Sequence, residues 1–156
     1  MKKIIFCDPE KCTGCQICEL VCSVVKEKKI NPITSRIRLT RIDPFIMTSI
    51  SCQLCDTAPC VTSCPKGAIR VSQNGNIEIN RDKCILCGWC IQPTSCPFGA
   101  ITIYQSSITV CDLCEGDPKC VEYCPKNALL FITRDEIAEH VRRDAVKKLF
   151  HELVKS

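Results

Sequence analysis

Large aromatic side chains are scarce: Phe, Trp and Tyr make up 5% of 156 residues, so big rings do not supply most of what this chain buries. No apolar run approaches the roughly 20 residues of a membrane-spanning helix, which excludes membrane insertion. The opening MKKIIFCDPEK stops being apolar after Phe6, too short for a signal-peptide core, and it has neither a small-residue cleavage site nor a twin-arginine pair. The expectation is a reducing, cytoplasmic setting. Only two histidines occur, His140 and His151, both beyond the last cysteine. They have no companion ligands and read as surface residues, and no imidazole base stands among the cysteines.

Cysteine is what the chain has in excess, with 17 residues, a level that marks either a disulfide scaffold or a metal carrier. Structural disulfides are rare in a reducing cytoplasm, so the metal reading prevails. Sixteen of them form four groups. These are CTGCQICELVC (Cys12, Cys15, Cys18, Cys22), CQLCDTAPCVTSCP (Cys52, Cys55, Cys60, Cys64), CILCGWCIQPTSCP (Cys84, Cys87, Cys90, Cys96) and CDLCEGDPKCVEYCP (Cys111, Cys114, Cys120, Cys124). Three groups end in Cys-Pro and run into one repeated phrase, CPKGAIRV, CPFGAITI and CPKNALLF. Cys7 fits no spacing and reads as a small buried side chain on a strand.

A cubane iron–sulfur cluster offers four iron corners, each wanting one thiolate. Two residues between successive cysteines let a tight loop turn three sulfurs onto three corners, and the fourth must come from elsewhere. In two-cluster ferredoxins the cysteine before proline serves the other cluster. Zinc sites use two separated pairs and require neither a third close cysteine nor a Cys-Pro ending. The formal charge of +4 counts every cysteine as neutral. Sixteen thiolates around four cores of charge 2+ would make the loaded protein acidic, so the basic count is no argument for nucleic acid.

Between the cysteines, Lys2 to Cys7 reads as an edge strand ended by Asp8-Pro9, and SVVKEKK after Cys22 as a short helix. Arg36, Arg38 and Arg41 alternate with Ile37, Leu39 and Ile42, which suggests a half-exposed strand whose arginine row is a solvated edge or a docking edge. KGAIRV and NIEI flank Gln73-Asn74-Gly75 as a hairpin, and AITIY and SITV flank Gln105-Ser106 as another. Thr133 and Glu136 form a capping box. Ile137, Ala138, Val141, Ala145, Leu149, Phe150 and Leu153 then recur at helical spacing, predicting a terminal helix to about Val154 that packs back on the domain or docks a partner.

With C-x2-C-x2-C-x3-C lacking proline first and C-x2-C-x4-C-x3-C-P second, the sequence resembles the ferredoxin-type electron-transfer subunits that carry four [4Fe-4S] clusters. These accompany tungsten and molybdenum aldehyde oxidoreductases, dimethyl sulfoxide reductase, formate hydrogenlyase and carbon monoxide dehydrogenase. The resemblance covers Lys2 to about Ile132. It implies an α+β fold in which two bacterial ferredoxin-like modules, made of short antiparallel hairpins and short helices, interleave over residues 1–132, with a helical extension over 133–156. It also implies ligand sets that pair the first group with the fourth and the second with the third. These are Cys12, Cys15, Cys18 with Cys124; Cys111, Cys114, Cys120 with Cys22; Cys52, Cys55, Cys60 with Cys96; and Cys84, Cys87, Cys90 with Cys64.

The implied role is a non-catalytic relay between a larger catalytic subunit and a ferredoxin or flavin subunit, since every cluster has a full cysteine set and no iron is left open. A free-standing polyferredoxin shuttle and a structural metal module are the alternatives. Two departures from the family pattern stand out. The third group has five residues between Cys90 and Cys96 where three are usual, with Pro93 to Ser95 as the bulge, and the gap from Cys114 to Cys120 is short where membrane-associated members carry a long loop. Lys11, Lys66, Lys83 and Lys126 adjoin ligands and would favour reduced clusters, unless water screens them. Trp89 reads as loop packing rather than an electron stepping stone.

Overall fold

A computed structural model describes residues 2–43 and 45–155, with side chains described to His151; Leu153 of the terminal stripe, Met1 and Ser156 lie outside that description. The architecture is α+β and built from paired short strands. β1 (Lys3–Cys7) pairs antiparallel with β8 (Leu129–Thr133), bringing the two ends of the cysteine-bearing chain together. The other three pairs are local: β2 (Arg38–Arg41) with β3 (Met47–Ile50), β4 (Ile69–Val71) with β5 (Ile77–Ile79), and β6 (Ile101–Tyr104) with β7 (Ser107–Val110). The last two are the hairpins the turn residues predict. Two-stranded units are marginal alone, so here each leans on the cysteine loops.

Helix α1 (Ile17–Glu27) begins inside the first cysteine group rather than after it, and carries Cys18 and Cys22 one turn apart. Two single-turn helices, α2 (Pro59–Thr62) and α3 (Lys119–Glu122), hold Cys60 and Cys120 in the same way. A 3₁₀ turn, Trp89–Ile91, does so for Cys90. Helix α4 (Arg134–Lys155) starts where β8 ends. Its capping box is formed, with Thr133 N–H donating to Glu136 Oε2 at 2.6 Å and Glu136 N–H to Thr133 Oγ1 at 3.3 Å.

The core is thin and contains isoleucine, alanine and cysteine in place of rings: Ile4, Ile5, Ile37, Ala68, Ile69, Ile101, Ala128 and Leu129 are buried with eight cysteines. Three expectations need correction. Strand β2 is shorter than the alternation suggests; Ile42 lies beyond it, 75% exposed, while Ile37 before it is buried. The arginines are not a free edge, because each has an internal partner. Arg36 Nη1 binds Asp112 Oδ2 at 2.6 Å, Arg38 donates to the Pro32 and Ile33 carbonyls, and Arg41 donates to Gly14 O at 2.9 Å.

His140 is the third correction. It packs edge-on against Phe6 and lies 3.3 Å from both Asp8 and Asp144, joining α4 to the end of β1. Lys11 Nζ already supplies a cation there, 2.8 Å from Asp8 and 3.7 Å from Asp144. Farther along α4, Val141, Leu149 and Phe150 are exposed, and there the helix meets the body through the Asp144–Lys11 and Lys148–Glu10 ion pairs. His151 is exposed, as expected.

Candidate metal centres

Each cysteine group begins with a loop bent the same way. The residue before the second cysteine has a left-handed backbone in all four: Gly14 (φ 66), Leu54 (φ 45), Leu86 (φ 55) and Leu113 (φ 57). A left-handed residue other than glycine costs about 1–2 kcal/mol, and three leucines bear that strain. The bend aims amides at sulfur: Leu54 N–H is directed at Cys52 and Leu113 N–H at Cys111. At Gly14 a side chain would add to the strain of its φ a clash with Met47, whose sulfur occupies the space a Cβ would take and would have to shift.

The fourth cysteines are held by a second repeated device. After Cys64, Cys96 and Cys124 the chain makes the same turn, with the amides of Gly67, Gly99 and Asn127 donating to the cysteine carbonyls at 3.1 Å. All three are left-handed, which is why only glycine or asparagine stands there. The following alanine amide then donates to the sulfur: Ala68 to Cys64 at 3.2 Å, Ala100 to Cys96 and Ala128 to Cys124 at 3.3 Å. The extra residues of the third group are absorbed upstream, where the amides of Ser95 and Cys96 both donate to Gln92 O at 2.8 Å. The turn after Cys96 is therefore unaltered. Cys22, with no proline behind it, receives its N–H from Arg36 at 3.3 Å.

These loops converge in pairs. Cys12, Cys15, Cys18 and Cys124 line one small cavity; Cys22, Cys111, Cys114 and Cys120 line another; Cys64, Cys84, Cys87 and Cys90 line a third. Cys52, Cys55, Cys60 and Cys96 also lie together. Burial, then their mutual repulsion as thiolates, pushes Cys52 and Cys60 up, Cys60 to about 11. Because Cys18 and Cys22 share α1, the first two cavities are neighbours, and Cys120 feels Cys18 as well as its own group. Cys111 in turn feels Cys52, and Cys60 and Cys64 stand four residues apart. In this order each set adjoins the next.

Burial raises the Cys18 and Cys90 thiols to about 11 and Cys111 to about 12, and Cys120 rises further, chiefly by burial and then by Cys111 and Cys22. Cys64 goes the other way. Burial raises it, but the amides of Ala68, Lys66, Ile69 and Gly67 outweigh that and lower it. A set of such sulfurs ionises together only around a cation, and soft thiolates suit iron–sulfur clusters or zinc. Among the described residues, no imidazole or carboxylate lines the cavities around Cys124 or Cys64. The donor sets fit iron–sulfur clusters.

No protein-family model matches the chain. Relatives do. The polyferredoxin-like subunit of aliphatic sulfonate oxidoreductase from Pyrococcus furiosus is 40% identical over 121 residues, covering 77% of this chain and 70% of that one. The B subunit of anaerobic dimethyl sulfoxide reductase from Escherichia coli is 32% identical over 85% of this chain and 74% of its own length. The electron transport protein HydN of the same organism is 30% identical over 94% and 99%.

This chain belongs to the [4Fe-4S] ferredoxin-type electron-transfer subunits of oxidoreductases. As an electron-transfer subunit it is non-catalytic and binds iron–sulfur clusters. Among its described residues no helix is long and apolar enough to cross a membrane.

Several residues of the subunit's site carry no sequence signal. Asp112 follows a cysteine and fits no motif, yet it binds Lys26 and Arg36 beside the Cys22 cavity. Trp89 is 61% exposed rather than packed inside, and with Ile85 and Leu86, also exposed, it lines the cavity of Cys64, Cys84, Cys87 and Cys90. Cys7 is buried on β1 as expected, but it also lines the Cys12 cavity. Of the four lysines expected to act on clusters, Lys11 is engaged by Asp8, and Lys66, Lys83 and Lys126 are exposed.

Proposed function

We propose that the subunit carries four [4Fe-4S] clusters held by Cys12, Cys15, Cys18 and Cys124; Cys22, Cys111, Cys114 and Cys120; Cys52, Cys55, Cys60 and Cys96; and Cys64, Cys84, Cys87 and Cys90. The observation that carries this reading is that the four groups are treated alike. Each supplies a left-handed loop, and each returning cysteine accepts one amide at 3.2–3.3 Å. A bound cluster supplies reversible one-electron carriage, and the residues supply its distances and its hydrogen bonds. Residues 1–132 act as two interleaved modules, the first and fourth groups forming one and the second and third the other, while 133–156 is an extension.

Electrons run from set to adjoining set between a catalytic subunit at one end and a ferredoxin or flavin subunit at the other, in a cytoplasmic complex. A tungsten or molybdenum aldehyde oxidoreductase type of catalytic partner is favoured. The short gap between Cys114 and Cys120, closed by α3, supports a member without membrane association.

Anaerobic purification tests this. Iron and sulfide should each reach about sixteen per chain, four per cluster, with reversible reduction at low potential and a large tungsten or molybdenum protein co-purifying. Zinc in place of iron, or clusters that do not reduce, would sink the relay.

A further inference from the structure

The cysteine-free span between the first two groups folds into the β2–β3 hairpin, and one of its side chains reaches a cysteine. Ser49 Oγ lies 3.3 Å from Cys18 Sγ, and both residues are buried. The hairpin is fixed from two sides. Glu19, next to Cys18 on α1, accepts the Leu39 N–H at 3.0 Å, and Leu39 is the register partner of Ser49. Arg41 at the far end of β2 donates to Gly14 O, in the loop between Cys12 and Cys15.

Ser49 and Leu39 line the cavity of Cys12, Cys15, Cys18 and Cys124. Among the described residues, the cavities around Cys22 and Cys64 have no hydroxyl in their walls. A hydroxyl both donates and accepts, but an iron-bound thiolate has no proton to give. The direction is then settled, with Ser49 donating to Cys18.

Resting on the reading that Cys18 is an iron ligand, we propose that Ser49 is a positioning residue that raises the reduction potential of the Cys18 cluster alone. Reduction adds one electron, delivered by the redox partner, and puts more negative charge on the sulfurs. A donor aimed at that charge favours the reduced form, since hydrogen bonds to sulfur are among the levers that set cluster potentials. The hydroxyl hydrogen stays on Oγ throughout, and no proton is exchanged. The hairpin is on this account a tuning arm for the first of the four sets.

The test is a redox titration of the complete loaded protein followed by electron paramagnetic resonance, in native, Ser49→Ala and Ser49→Thr forms, each with its iron and sulfide measured. Ser49→Ala should lower one midpoint only. The expected fall is about ten-fold in the reduced-to-oxidised ratio at fixed potential, or about 59 mV for a one-electron couple. The reduced cluster should also lose a coupling to an exchangeable proton. Ser49→Thr, which keeps the hydroxyl, should restore both.

Full iron with every midpoint unchanged in Ser49→Ala overturns the proposal, as does a Ser49→Thr protein whose midpoint falls as far as that of Ser49→Ala. Native protein without iron overturns it at its base and is recognised by analysis alone. If Ser49→Ala loses its cluster, Ser49→Cys is titrated instead, since it keeps a weaker donor. A smaller fall of the same sign then supports the role, and no fall rejects it.

Discussion

The backbone N–H of Arg36 donates to Cys22 Sγ at 3.3 Å, giving the one returning cysteine without a proline the bond that Cys64, Cys96 and Cys124 receive from alanines four residues on. Ser35, at φ −61 and ψ 146, already has the backbone that a following proline requires. Arg36→Pro should therefore remove the donor without displacing Ser35, while Arg36→Ala keeps it. Both lose the Asp112 ion pair. A hydrogen bond to a charged group contributes about 1.5–3 kcal/mol, so Arg36→Pro should release iron to a chelator at least about ten-fold faster than Arg36→Ala.

Gly14 and Met47 meet where the first cysteine loop lies under β3. Gly14→Ala adds a left-handed alanine, about 1–2 kcal/mol, and drives a methyl into the Met47 sulfur. The expected result is loss of about four irons per chain, measured by iron analysis. Gly14→Ala combined with Met47→Ala should recover part of that loss, because the space is restored and only the backbone strain remains. Leu86→Gly should act oppositely, relieving strain at a half-open site and raising thermal stability by about 1 kcal/mol.

How far the sequence reaches is clear from these residues. Cysteine spacing, the Cys-Pro turns, the two hairpins that follow them and the Thr133 capping box are local, and local chemistry decides them. Ser49 and Arg36 act on cysteines 31 and 14 positions distant, and Asp112 on cations 86 and 76 positions distant, so no spacing rule links them. Leu54, Leu86 and Leu113 conceal the repeated bend because leucine does not announce a left-handed backbone as Gly14 does. Trp89 misleads for a different reason: a large ring usually finds a core, and here the space beneath it is given to cysteines.

Asp112 sits between Lys26 at 2.8 Å and Arg36 at 2.6 Å, and its side chain also caps Cys114 N–H at 3.1 Å. Burial raises its carboxyl, but the Lys26 bond, the Cys114 amide and the Arg36 charge together hold it below the ordinary value. A lowered folded value means a contribution present above about pH 4, the unfolded carboxylate range, and lost as pH falls through the folded value. Asp112→Asn should lower stability at pH 7 by about 1–2 kcal/mol, a figure reduced for its partial exposure. The gap to native protein in urea unfolding should narrow below about pH 4. A gap that stays constant with pH would mean the carboxylate charge contributes nothing.

Cys96 ends the third group, yet burial and then other cysteines push Cys60 up, and those cysteines are Cys52, Cys96 and Cys55, none from the Cys84 loop. The Cys90 thiol is raised by burial and then by Cys84, Cys64 and Cys87. Ligand exchange between the second and third groups follows if these neighbours bind one cluster, and it makes a prediction about additivity. Cys96→Ala should cost about four irons. Adding Cys52→Ala should cost no more, because both residues serve one cluster and coupled sites are non-additive. Adding Cys84→Ala should instead double the loss, because two clusters go. The reverse pattern, additive with Cys52 and silent with Cys84, would place Cys96 on the cluster of its own loop, and the second and third groups would then not exchange ligands.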